Sequence, residues 1–171
     1  GDHDAARKHL ETALELEPNR PTAQARLREL AAEGPADELA ITLRTHAETA
    51  IGADRADTFE QLAEHLAESG DRLGAADALL QAWQAEPARE QHYAGIIQLA
   101  GNDLTRAAAA HRFRARSASD PTARSAALHA LGTLLLTVGK RPHEAVEAFE
   151  GALAMEPSNG RAAEARARAW L

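Results

Sequence analysis

The chain has 171 residues, 44% of them hydrophobic, no cysteine and a formal net charge of −7. That is enough apolar material for a packed core, and it excludes a disordered chain, a disulfide scaffold and Cys-ligated zinc. The acidic balance argues against a nucleic-acid-binding module, which presents a basic face. No apolar run approaches the roughly 18 residues of a membrane span.

Alanine is the commonest residue, aromatics make up 4%, and valine occurs only at Val138 and Val146. Alanine is the best helix former and lets helices approach closely, whereas strands want β-branched and aromatic residues. An all-α protein with small-residue packing is expected. Positive charge rests almost wholly on arginine, with Lys8 and Lys140 the only lysines. That bias, with so much alanine, suggests a GC-rich bacterial genome. No signal-peptide pattern is visible, and a cysteine-free chain fits the cytoplasm and the bacterial periplasm alike.

Helical periodicity, with glycine and proline as punctuation, predicts ten helices in chain order. They run over about 3–16, 20–32, 36–50, 55–69, 71–85, 89–101, 104–117, 121–138, 142–155 and 159–170. Short connections between them favour antiparallel neighbours. Asp2 and Asp71 are expected N-caps. Asp120 before Pro121 reads as an N-cap followed by proline at the first helical position.

The first of these helices is repeated. "GDHDAARKHLETALELEP" (residues 1–18) returns as "GDRLGAADALLQAWQAEP" (residues 70–87), with seven of the eighteen positions identical. Four residues mark the repeat: Ala6, Leu10, Ala13 and Pro18, then Ala75, Leu79, Ala82 and Pro87. The ladder recurs as Ala109, Phe113, Arg116 and Pro121, and as Ala145, Phe149, Ala152 and Pro157. The last three prolines are 34 and 36 residues apart. Small, large and small residues spaced 4 and 3 share one helix face, and the proline stops the helix. A second amphipathic segment precedes each ladder, as in Phe59, Leu62, Ala63 and Leu66. Gly70 turns it into the ladder helix, and "ALGTLLLTVG" (130–139) ends on another glycine turn.

These marks resemble the tetratricopeptide repeat (TPR) family, whose 34-residue unit is a pair of antiparallel helices. Residues 56–89 fit its pattern at eight places. Residues 90–123 fit except at Arg116 and at Leu104, which stands where the turn glycine belongs. Residues 124–157 fit with two extra residues, and residues 19–55 form a degenerate copy. Residues 1–18 make a half repeat and residues 158–171 a C-terminal capping helix. The resemblance implies a right-handed α-solenoid over residues 1–171. The half repeat suggests that residue 1 is a cut in a longer chain, and Trp170 and Leu171 could begin a further repeat.

No catalytic constellation stands out. Eight histidines form no HExxH pair, His3 with Asp2 and Asp4 reads as a polar helix start, and no glycine-rich phosphate loop or nucleophile elbow occurs. No catalytic, cofactor or metal residue is therefore assigned. Trp83 and Trp170 read as core. Function is expected to rest on the inner face, which in the resembled family is lined by first helices of each pair. Those places hold Asp57, Glu60, Glu64 and Glu68, then Gln91, Ala94, Gln98 and Asn102, then Ala126, His129, Thr133 and Thr137. The degenerate copy supplies Thr22, Ala25, Glu29 and Glu33. The partner-binding face is assigned to Asp57, Glu60, Glu64, Glu68, Gln91, Gln98, Asn102, His129 and Thr133. Apart from Arg26 these places are acidic or neutral, unlike the basic clamp with which some family members hold a carboxylate tail. The expected partner is a basic or neutral protein segment; the alternative for the acidic stripe is a solvated face. A scaffold that binds such a segment is the first functional reading. Self-association through the solenoid ends and a small-ligand-binding domain of an enzyme are the others.

Overall fold

The structure, a computed structural model, describes residues 38–169 and, before them, Ala6, His9, Leu10, Thr12, Ala13, Thr22, Ala23 and Arg26, each of which is helical. The described residues are all-helical. Their eight helices are α1 (Glu38–Thr49), α2 (Gly52–Glu68), α3 (Arg72–Ala85), α4 (His92–Ala100), α5 (Leu104–Ser117), α6 (Pro121–Thr137), α7 (Pro142–Met155) and α8 (Gly160–Arg168). Among the described residues the count is eight rather than the expected ten; of the helices expected over about 3–16 and 20–32 only the eight residues named above are described, and the cap Asp2 and Trp170 lie outside the described residues. The chain divides into two compact units, Gly1–Ile41 and Thr42–Leu171. In the first, Ala23 and Ala40 are buried.

Local chemistry sets the helix starts of the second unit. Asp71 accepts from Gly74 N (2.9 Å), Asp103 from Arg106 N (2.9 Å) and Asn159 from Ala162 N (3.1 Å). Asp120 accepts from Thr122 N and Ala123 N, with Pro121 in the first turn where no N–H is needed. Each such cap contributes about 1 kcal/mol. At the end of α2, Gly70 sits at φ 87°. The bonds Asp71 N to Leu66 O and Gly70 N to Ala67 O then close the helix, a glycine-dependent stop. The turn after α6 differs from expectation: Lys140, not Gly139, takes the left-handed conformation (φ 53°). Gly139 is required there by close approach, since a Cβ would lie 2.9 Å from Leu135 O.

Side-chain bridges set the helix directions. Arg72 at the start of α3 donates to Gln98 O late in α4 (3.0 Å), so these two run antiparallel. Arg106 at the start of α5 donates to Leu73 O (3.1 Å) and Asp77 (2.6 Å) at the start of α3, so α3 and α5 are parallel. Ser125 early in α6 donates to Ala152 O late in α7 (2.9 Å), and Asn159 ahead of α8 donates to Ser125 Oγ (2.8 Å). From α2 onward each helix packs on its sequence neighbours, and α3–α5 and α6–α8 also touch.

Two linked cores result. Ala76, Trp83, Ile96 and Ala110 join α3, α4 and α5. Ala108, Leu131, Leu135, Ala145, Ala148 and Phe149 join α5, α6 and α7, with Ala165 and Ala169 of the C-terminal segment packed on them. Phe149 is fully buried, and a Cβ at Gly132 would come within 2.5 Å of its ring. A glycine in mid-helix costs roughly 1 kcal/mol. Burying the ring in the space it leaves contributes about 1.5–3 kcal/mol, so the exchange is favourable.

Burial repeats along the chain. Ala56, Thr58, Leu62, Ala63 and Leu66 of α2 are matched 69 residues on by Ser125, Ala127, Leu131, Gly132 and Leu135 of α6. Ala75, Ala76, Ala78 and Ala82 of α3 are matched 70 residues on by Ala145, Val146, Ala148 and Ala152 of α7. The helix between departs from the expected ladder. Ala107, Ala108, Ala110 and His111 are the buried residues of α5, whereas Arg116 is exposed and Ala109 and Phe113 are half-buried. The working ladder is Ala107, His111 and Arg114, 32 residues after Ala75, Leu79 and Ala82. The cause is the turn. Leu66 stands five residues before the cap Asp71, but Ala100 stands three before the cap Asp103, with Gly101 (φ 53°) as the turn glycine in place of the expected Leu104 position.

Candidate functional site

Asp57, Glu60, Glu64 and Glu68 recur at steps of 3, 4 and 4, so α2 carries them along one side. Asp57, Glu64 and Glu68 are exposed and Glu60 is half-buried. The structure divides this stripe. Arg89, on the connection between α3 and α4, reaches back to its first half. Its Nη1 lies 2.6 Å from both Asp57 Oδ1 and Glu60 Oε1, and its Nε donates to Glu86 Oε2 at 2.6 Å. Hydrogen bonds to Glu60, then to Asp57, raise the guanidinium pKa further, so the charge is permanent. Lone surface ion pairs contribute about 0–1 kcal/mol, but one fork on three carboxylates is a network.

His92, the first residue of α4, completes the cluster. It is 7% exposed, and its Nε2 lies 2.8 Å from Glu60 Oε1. The approach is off the N–H direction, which leaves Nε2 buried without an aligned hydrogen bond. Glu64 and Glu68, by contrast, make no hydrogen bond or ion pair among the described residues. The stripe therefore ends in two carboxylates open to solvent. Charge complementarity at such a surface steers a cationic segment more than it tightens the final complex.

The other assigned positions are neutral, and their hydrogen bonding is inward or backbone. Gln91 caps α4 without a side-chain cap bond, and Gln98 is exposed while its carbonyl accepts from Arg72. Asn102 lies past the end of α4, in the turn, because that helix stops at Ala100. On α6, the His129 ring stacks at a tilt on Phe149 (5.8 Å), and Thr133 Oγ1 donates to His129 O (3.0 Å). Thr137 does the same to Thr133 O (2.7 Å). So Asp57 and Glu60 are drawn together with Glu86, Arg89 and His92, and His129 and Thr133 take no part in that cluster.

No family model matches the chain, and no curated protein matches it. The chemistry must therefore be read from its own residues. Among the described residues no group of three His, Asp or Glu side chains is placed to hold a metal ion, and no helix is long and apolar enough to cross a membrane. A shallow cleft of about 280 Å³ is lined by Ala50, Ile51, Gly52, Arg55, Gln81, Gln84 and Ala85, with one cation and no acid–base pair. Sequence reasoning missed Arg89, Glu86 and His92. The Glu86/Arg89 spacing of three was the one local signal; the link to Glu60 spans 29 residues and leaves none.

A second polar cluster was hidden by the ladder shift. His111 is buried, its Nδ1 lies 2.9 Å from Tyr93 Oη, and Arg114 stacks on the Tyr93 ring at 4.2 Å. Burial, then the Arg114 charge, lowers the His111 pKa to about 4. The ring is neutral at pH 7 and serves packing at the place that Leu79 and Phe149 fill in the other ladders.

Proposed function

We propose that the chain is a TPR-like right-handed α-solenoid segment, a non-catalytic scaffold that binds a basic segment of a partner protein along α2 and the start of α4. Alternating helix directions, next-but-one contacts and the 69–70-residue recurrence of buried positions support the solenoid reading. The observation that carries the binding reading is the open half of the stripe. Glu64 and Glu68 are exposed and have no cation partner among the described residues, beside a carboxylate cluster already in excess over its one arginine.

The test is fluorescence anisotropy with a labelled Arg/Lys-rich peptide and an acidic control. The basic peptide is expected to bind and the acidic one not. Raising salt from about 50 mM to about 500 mM shortens the screening length and weakens the complex. Glu64→Lys combined with Glu68→Lys is expected to reduce affinity roughly 5- to 30-fold, the sum of two reversed pairs at about 0.5–1 kcal/mol each. These residues are preferable to Glu60, whose reversal would also break the Arg89 cluster. Equal affinity in the double variant, or preference for the acidic peptide, contradicts the proposal.

A further inference from the structure

We infer that the cleft between the start of α2 and the end of α3 binds a carboxylate carried on a short apolar group, with Arg55 as its anchor. The site is separate from the open half of the acidic stripe. Arg55 stands nine residues before Glu64, two and a half helical turns away, so the two lie on opposite sides of α2.

Three observations carry the inference. The first is a repeated arginine. Arg55, Arg89 and Arg124 stand 34 and 35 residues apart, each four residues before a large apolar side chain: Phe59, Tyr93 and Leu128. Two of the three are satisfied within the chain. Arg89 is held by Asp57, Glu60 and Glu86, and Arg124 Nε donates to Ala118 O at 2.6 Å. The Arg55 side chain makes no hydrogen bond or ion pair among the described residues. The sequence explains the difference. Glu86 stands three residues before Arg89, whereas Gly52 stands three before Arg55. At the places of Asp57 and Glu60 the degenerate copy has Thr22 and Ala25. Every carboxylate that holds Arg89 is thus replaced for Arg55 by a residue without one.

The second observation is where that arginine sits. It is half-buried, with its guanidinium over the Phe59 ring at 5.5 Å, which holds the cation in place. It lines the cleft with Gln81 and Gln84, whose side chains also make no hydrogen bond among the described residues. The lining therefore offers one guanidinium and two amides, and no carboxylate. An arginine fork takes a carboxylate through two parallel bonds, and glutamine amides add further donors. The third observation is the apolar edge. Ile51 is 83% exposed, more than any other large hydrophobic residue described, and Ala50 and Ala85 line the cleft beside it. A few polar groups orient a ligand in such a site while apolar area holds it. A uniformly acidic segment brings nothing to cover Ile51 and is opposed by the net charge of −7.

The experiment titrates hexanoate into the 171-residue chain and follows its amide signals. Hexanoate is expected to move the backbone signals of residues 51–55 and 81–85 and the side-chain amides of Gln81 and Gln84, with a Kd of about 1–10 mM. Hexylammonium is expected to leave them in place, and hexanol to bind roughly tenfold more weakly or less. Arg55→Gln keeps a polar side chain without the charge and is expected to lower hexanoate affinity about tenfold. Ile51→Ser is expected to weaken hexanoate severalfold and to leave acetate unchanged. A blocked peptide with an internal Leu-Glu pair separates the sources of the carboxylate. Binding as tight as that of hexanoate assigns a partner's acidic side chain, and binding of hexanoate alone assigns a free organic acid. Equal affinity for hexanol and hexanoate, unchanged affinity in Arg55→Gln, or no shift at about 20 mM overturns the site. Equal shifts at the exposed Arg112 and Arg116 would mark general anion pairing and overturn it as well.

Discussion

Replacing Trp83 with alanine is expected to destabilise the protein by about 3–5 kcal/mol, on the order of 10 °C in Tm. The side chain is fully buried at the end of α3, where α4 and α5 converge. Its ring meets Phe113 edge-on at 4.7 Å and Tyr93 at 6.0 Å, and its Nε1 donates to Pro87 O at 3.2 Å. That bond also fixes the start of the connection that carries Arg89. Alanine therefore removes the largest side chain of this core and leaves a cavity that helices held at both ends cannot fill. Urea unfolding followed by circular dichroism measures the loss. Trp83→Phe keeps the ring contacts without the hydrogen bond and is expected to cost less than half as much. A loss below about 1 kcal/mol for alanine would contradict the three-helix core.

Acid is expected to weaken the fold through His111. The folded-state pKa is lowered to about 4 from the ordinary 6.5, first by burial and then by the Arg114 charge. The unfolded chain therefore binds a proton that the folded chain refuses. Stability is full above pH 6.5, falls as pH drops through the window between 6.5 and about 4, and is lost in full below it. At 1.36 kcal/mol per unit the contribution is about 3 kcal/mol. Carboxylates titrate in the lower part of this window, so the informative quantity is the difference between the parent and His111→Leu. Leucine stands at the equivalent place in α3 and carries no titrating group. The difference should grow by about 3 kcal/mol between pH 7 and pH 4. Parallel pH curves for the two proteins would show that His111 is not held neutral.

Much of the fold is legible in the chain because its punctuation is local. The bounds of α5 and α7 coincide with the expectation, and α3 and α6 differ from it by a single residue. Asp71, Asp120 and Pro121 act where their chemistry says they should. The N-terminal side of α2 was less legible. That helix begins at Gly52 after Ile51, a cap position with no side-chain bond, so no residue type announces it. Helix α4 starts at His92 rather than 89, because the backbone of residues 86–91 closes into successive turns, with Arg89 N donating to Glu86 O (3.1 Å) and His92 N to Arg89 O (3.2 Å), which periodicity does not encode. Pro121 places the third ladder two residues too late, because a turn two residues shorter moves the working register onto His111. The cap Asp103 was the better anchor, since a cap reports where a helix begins and a proline only that it has ended. The acidic stripe itself needs nothing but helical spacing. Its partial neutralisation depends on a contact 29 residues away, which only packing creates.

The binding face can be mapped directly by recording amide chemical shifts of the 171-residue chain while an arginine-rich peptide is titrated in at low salt. The account predicts shifts along α2 between Asp57 and Glu68 and across the connection from Glu86 to His92, with α5 and α7 unmoved. Shifts centred on α5, α7 or the Ile51 cleft, or none at about millimolar peptide, would contradict it.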